Sequence, residues 1–151
     1  AGRARGQLGR LQLSVNPLTP KPWTPLQWAP MEKRSALAKK YRLLQRAVRT
    51  LANVDLNLES LRQAEMQGLF ARADRRVAQL LPHLAAGDNL KAACRAAGLD
   101  AAFYLTRERG ANELFPWEII DQGIRRSYLL REYQQALAAQ SMPRRSPRKV
   151  A

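Results

Sequence analysis

The amino-acid sequence predicts an α/β fragment: one βαβ unit that lacks the rest of its sheet, followed by a mostly α-helical extension. Three observations predict it. Two short stretches alternate apolar and polar residues with the period of a strand, a basic amphipathic stretch of helical period joins them, and nothing downstream supplies another strand. Strand, crossover helix, strand makes the two strands parallel. Two strands are not an independently stable sheet, however, and parallel sheets occur almost only where several strands take part and both faces are covered. The unit therefore reads as the C-terminal piece of a larger α/β domain.

In chain order, residues 1–9 are rich in Gly and Arg and read as a flexible basic N-terminus. The first strand runs from Leu11 to Asn16, with Leu11, Leu13 and Val15 on one face and Gln12, Ser14 and Asn16 on the other. Pro17, Pro20, Pro22, Pro25 and Pro30 then remove backbone donors and fix φ, so the chain must leave the sheet as a stiff extended loop. Trp23 and Trp28 lie in that loop, and Trp117 in a later one. Indoles in loops pack across seams, and all three read as anchors. Glu32 to Leu51 has the spacing of an amphipathic helix, with Leu37, Tyr41, Leu44, Val48 and Leu51 on the face to be buried. Asn53 ends it, and Val54, Leu56 and Leu58 alternate with Asp55, Asn57 and Glu59 as the second strand. Residues 10–59 are thus the strand-loop-helix-strand part.

Residues 60–139 read as the helical extension. Ser60 caps a helix through Leu61, Ala64, Leu69 and Phe70; Asp74 starts another through Val77, Leu80 and Leu81 that stops before Pro82. Asp88 can cap a short helix, Leu90 to Ala97, closed by Gly98, and Asp100 to Leu105 makes one more turn. After a loop punctuated by Gly110 and Pro116, Ile124 to Ala139 is the last helix, with Ile124, Tyr128, Leu129, Tyr133 and Leu137 as its expected buried set. Residues 140–151, with MPRRSPRKVA at their end, read as a disordered basic tail.

Composition bounds the partners. Of 151 residues, 46% are hydrophobic, enough for one domain with a core. No run reaches the ~18 apolar residues of a membrane span, and AGRARG at the start has no apolar h-region, so it reads as neither a secretory signal nor a natural start. Cys94 is the only cysteine, which excludes an internal disulfide and a cysteine metal cluster held by this chain alone, and a cytoplasmic setting fits best. The net charge of +14 sits at the two ends of the chain, while residues 51–100 carry as many acids as bases. Basic ends can bind phosphate backbones, but with no nameable nucleic-acid module direct nucleic-acid binding is not the favoured reading.

Signatures of catalysis are scarce. There is no phosphate-binding glycine loop, no GxGxxG, no HExxH and no CxxC. His83, the only histidine, reads as a surface or packing residue beside Pro82, and Cys94 as a small buried hydrophobe among alanines. Arg72, Asp74, Arg75 and Arg76 read as a structural cluster in which Asp74 caps and the arginines clamp loops. Glu118 and Asp121 can pair with Arg125, Arg126, Arg107 or Arg109 to pin the last helix. No catalytic residue and no metal ligand is assigned. In parallel α/β folds ligands bind beyond the carboxyl ends of the strands, which makes Ser14, Asn16 and Thr19 the best ligand-facing candidates.

The segments SVNPLTPKPWTPLQW at 14–28, ARADRRVAQLL at 71–81, AGLDAAFYLTRER at 97–109 and LFPWEIIDQGIRRSYLLREYQQAL at 114–137 resemble the C-terminal half of a family of radical S-adenosylmethionine (radical SAM) proteins. Many of its members carry an N-terminal cobalamin-binding domain. The resemblance covers roughly residues 10–140. It implies a partial TIM-type barrel whose last, or nearly last, strand is Leu11 to Asn16, with the proline loop crossing the barrel mouth. It also implies S-adenosylmethionine and a four-iron, four-sulfur (4Fe-4S) cluster in the full-length protein, with cobalamin as a further cofactor in many members. The cluster loop, CxxxCxxC, is absent here, so the chain alone is expected neither to hold the cluster nor to turn over. On this reading Ser14 and Asn16 lie nearest the cofactor, while Thr19, Lys21 and Trp23 close over the substrate. The partner is then the upstream barrel portion of the same protein. Two departures stand out: Ala73 occupies a position where the family tends to have glycine, and the tail lacks the cysteines that relatives often carry. The rival expectation is a stand-alone basic helical adaptor that binds RNA or an acidic protein.

Overall fold

A parallel pair of strands forms the start of the structure, a computed structural model that describes residues 9–140. Strand β1, Leu11–Val15, is joined through the proline loop and helix α1, Arg34–Val48, to β2, Val54–Leu58. Leu11 stands in register with Val54, Leu13 with Leu56 and Val15 with Leu58, so the apolar residues of both strands share one face. Backbone bonds from Leu11 N to the Asn53 carbonyl (2.8 Å) and from Glu59 N to the Val15 carbonyl (3.2 Å) continue the ladder past each end. Helix α1 packs against β2. It is shorter than the periodicity implies: Lys33 offers no side-chain cap, and beyond Val48 the chain turns, with Asn53 in the left-handed region at φ 59°. Two strands also cover its apolar stripe only in part. Leu37 is buried, Tyr41, Leu44 and Val48 are half-buried, and Leu51 is exposed.

The extension consists of α2, Leu61–Arg72; α3, Leu81–Ala85; α4, Leu90–Ala96; α5, Ala101–Leu105; and α6, Arg126–Gln140. Pro82 begins α3 rather than ending a helix, because in the first turn its missing N–H has no intrahelical partner to lose. A 3-10 stretch from Arg75 to Leu80 precedes it, capped by Asp74. One core cluster gathers Met31, Leu37, Ala64, Leu69, Val77, Leu80, Ala93, Cys94, Tyr104 and Leu105. Gly68 in α2 permits the close approach at its centre: a Cβ there would lie 2.9 Å from Leu105 Cδ2 and 3.1 Å from Met31 Sδ.

The second cluster is aromatic and lies between the proline loop and the end of the chain, where Trp28, Phe115, Trp117, Leu129 and Tyr133 pack with Trp23 and Leu26 at their edge. Trp28 is fully buried, with ring centroids 5.8 Å from Phe115 and 5.9 Å from Tyr133. The loop thus covers helices of its own chain. Only Leu129 and Tyr133 of the expected α6 face are buried; Ile124, Tyr128 and Leu137 stay exposed, because a single turn, Pro25–Trp28, lies over this helix and shields one narrow stripe of it. The expected flexible N-terminus and basic tail fall, apart from Gly9 and Gln140, outside the described residues.

Candidate functional site

With its apolar face against α1, the sheet presents Gln12, Ser14 and Asn57 on the other side, all exposed, together with half-buried Asp55. Alternation dictates this, since every second side chain of a strand points to the opposite face. Among the described residues no element pairs with the outer edge of either strand. Arg10 donates to the Asp55 carboxylate at the amino end of the face, and this hydrogen bond holds that carboxyl below its usual range. At the carboxyl end the Tyr41 hydroxyl donates to the Glu59 carbonyl (3.0 Å) and reaches the Val15 carbonyl (3.4 Å), tying the two strand ends to α1.

The residues singled out from the sequence separate here. Ser14 and Asn16 are exposed at the carboxyl end of β1. Thr19 is not aimed outward: its hydroxyl is fully buried without a partner, and its methyl lies 3.4 Å from where a Gly68 Cβ would stand. Trp23 likewise turns its indole N–H inward, at the edge of the aromatic cluster, and its backbone sits at φ 55°, a strained conformation for a bulky residue. Its backbone N–H donates to Gln27 Oε1 (3.1 Å), which fixes that turn. The half-buried Lys21 accepts from the Thr24 hydroxyl through its carbonyl (2.8 Å). Ser14 and Asn16 therefore share an open surface, whereas the polar atoms of Thr19 and Trp23 serve packing.

Three buried polar residues hold the loop to the extension, of which Gln27 had no signal in the sequence pattern. Gln27, 2% exposed, accepts from Trp117 Nε1 (2.9 Å) as well as from Trp23 N. Arg72, read above as a clamp on loops, acts from the interior: it is wholly buried and donates to the carbonyls of Leu105 and Gln27, both at 3.4 Å. Burial, with the nearby charges of Arg109 and Arg107, pushes its guanidinium down to about 10. Arg109 donates to the carbonyls of Arg72 (3.2 Å) and Tyr104 (3.3 Å), its guanidinium carbon 5.3 Å and 5.4 Å from the ring centroids of Phe115 and Trp117. No helical or strand period marks a glutamine in a proline loop, and the only hint was its place between Leu26 and Trp28. Glu118 pairs with Arg126, as one of the expected combinations has it; Asp121 caps its own turn at Gly123 N (2.7 Å), and Arg107 pairs with Glu113.

Asp74 accepts from Arg76 N (2.9 Å), the Arg76 guanidinium (2.6 Å) and the Tyr104 hydroxyl (3.3 Å), and the Arg76 side chain is the chief cause that holds its carboxyl down to about 2. A carboxylate depressed on folding adds stability that is complete above its unfolded pKa and is lost as pH falls through the folded one. The melting temperature is therefore expected to fall between pH ~4 and ~2, and to fall less steeply for Asp74→Asn, which keeps the cap; the exposed pair is worth at most about 1 kcal/mol. An unchanged slope in that variant would assign the acid sensitivity elsewhere.

Cys94 lines a cavity of about 770 Å³ shared by α2, α4 and α5, together with Met66, Leu90 and Leu99, and none of the residues singled out for ligand binding lies there. Cys94 is 6% exposed, and its thiol is pushed up, first by burial and then by Asp100. An iron–sulfur cluster needs several thiolates. One buried thiol does not fit it, and no group of three or more His, Cys, Asp or Glu side chains suited to a metal occurs among the described residues. Among them, too, no helix is long and apolar enough to cross a membrane. No family model, no curated protein and no solved structure matches the chain.

Proposed function

We propose that this chain is the C-terminal segment of a radical SAM enzyme, in which the βαβ unit forms part of a barrel wall and the helical extension packs beside it. One observation carries the reading. A parallel strand pair has its apolar face covered only in part, by α1 packed against β2 with Leu11 left exposed, while among the described residues its polar face and outer edges are open, the condition of a barrel wall without its neighbours. Within that barrel α1 lies outside and Gln12, Ser14, Asp55 and Asn57 face the interior. The cluster and the cleavage of S-adenosylmethionine belong to the upstream portion, because this chain lacks the thiolates. Ser14 and Asn16 supply a hydroxyl and an amide at the strand end, groups able to hydrogen-bond the hydroxyls and amino-acid moiety of S-adenosylmethionine. Of the substrate-side trio, Lys21 keeps a charge near that end, whereas Thr19 and Trp23 stiffen the loop.

Two measurements test this. The complete gene is expected to encode CxxxCxxC upstream of Ala1, and a complete gene without it sinks the assignment. In the full-length protein, Asn16→Ala is expected to slow formation of 5′-deoxyadenosine at limiting S-adenosylmethionine. Unimpaired cleavage would remove Asn16 from the cofactor site while leaving the class to the first test.

A further inference from the structure

Helix α1 contains no Asp or Glu. Two of its cations are neutralised from outside, Arg34 by Glu65 (3.2 Å) and Lys40 by Glu32 (2.6 Å). Four others on the helix and its C-cap, Lys39, Arg42, Arg46 and Arg49, are exposed and make no ion pair among the described residues. Arg42 uses only its Nε, toward the Ala38 carbonyl (3.3 Å). At 100° per residue the four fall within an arc of about 80° and extend over about 15 Å of helix axis. They lie opposite Leu37, Tyr41, Leu44 and Val48, the residues turned toward the sheet and core.

From this geometry we infer that Lys39, Arg42, Arg46 and Arg49 form a binding stripe for the phosphate backbone of a nucleic acid. A line of unneutralised cations gathers counterions, and a polyanion laid along it releases the counterions condensed on its own phosphates. Three of the four are arginines, whose planar fork matches phosphate oxygens. A membrane surface fits less well, since most of the apolar side of α1 is turned toward the sheet and core and Leu43 is the one large apolar side chain of the helix left exposed. The inference does not rest on the barrel reading, in which α1 lies on the outside and the stripe stays free.

Fluorescence anisotropy of labelled oligouridylate and oligothymidylate with the intact protein, between about 50 and 200 mM salt, tests it. Binding is expected to weaken linearly in log–log form, with similar slopes for the two probes. Replacing all four stripe residues by glutamine is expected to make the slope shallower by about 3, at ~0.7 per phosphate contact. The control replaces Arg62, Lys91, Arg95 and Arg131, exposed cations elsewhere, and is expected to keep the stripe's share of the slope. If the fourfold variant loses its circular dichroism, Lys39→Gln with Arg46→Gln is expected to reduce the slope by about 1.4. Absence of binding at low salt, equal losses in stripe and control variants, or displacement of the probe by polyglutamate as effective as by unlabelled oligonucleotide would overturn the inference. The last result would point instead to an acidic protein segment, for which exposed Leu43 beside the stripe is an anchor.

Discussion

Replacing Trp28 by alanine is expected to cost about 4 kcal/mol of unfolding free energy, the size found for deleting a fully buried aromatic. Its indole has no exposed surface and touches both Phe115 and Tyr133, and the Arg126 guanidinium carbon stands 5.7 Å from its ring centroid. Such a loss is a large fraction of the total stability of an ordinary domain. Trp23→Ala, at the edge of the same cluster, is expected to cost about half as much, since a half-buried ring has less apolar area to lose. Urea unfolding followed by circular dichroism measures both. Equal losses would mean that the seam between the loop and α6 is not a core in its own right.

The second large effect is expected at Arg72. Arg72→Ala empties a wholly buried site and leaves the Gln27 carbonyl without this donor, a loss of about 3 kcal/mol. The Leu105 carbonyl fares better, because Met31 N also donates to it at 2.7 Å. Arg72→Met keeps most of the volume and removes a cation that burial and the neighbouring Arg109 disfavour, so it is expected to stay within about 1 kcal/mol of the parent. The sign of the charge effect can be checked in the parent. A cation whose pKa is lowered by folding costs stability at every pH below that value, and the cost is relieved as pH rises through about 10 toward the unfolded value. If methionine proves as damaging as alanine, the guanidinium hydrogen bonds outweigh the desolvation.

Much of the local structure was legible before folding. The alternation at Leu11–Val15 and Val54–Leu58 marks both strands, and the spacing from Leu37 to Val48 marks the helix between them. Ser60 and Asp74 act as caps, where short polar side chains can take the free N–H groups of a helix start. Helix ends were less legible. Lys33 gives no cap, Asn89 rather than Asp88 caps α4 by accepting from Ala92 N (3.1 Å), and Pro82 suits a first turn as well as it breaks an interior one. Of the candidate site only placement was legible: strand-end position leaves Ser14 and Asn16 exposed, whereas the loop buries the Thr19 hydroxyl and brings its methyl toward Gly68 of α2.

By itself, the sequence determined the parallel βαβ unit, the bare polar face opposite its apolar one, and the cationic stripe of α1, because each follows from a period of two or of 3.6 residues along one element. Tertiary structure alone decided that the proline loop closes over Phe115, Trp117 and Tyr133, that Gln27 joins Trp23 to Trp117, and that Arg72 and Arg109 point inward. These partners lie tens of residues apart, and no local pattern records them. A glutamine or an arginine is placed inside only when distant segments bring carbonyls and ring faces that meet its hydrogen-bonding and charge requirements.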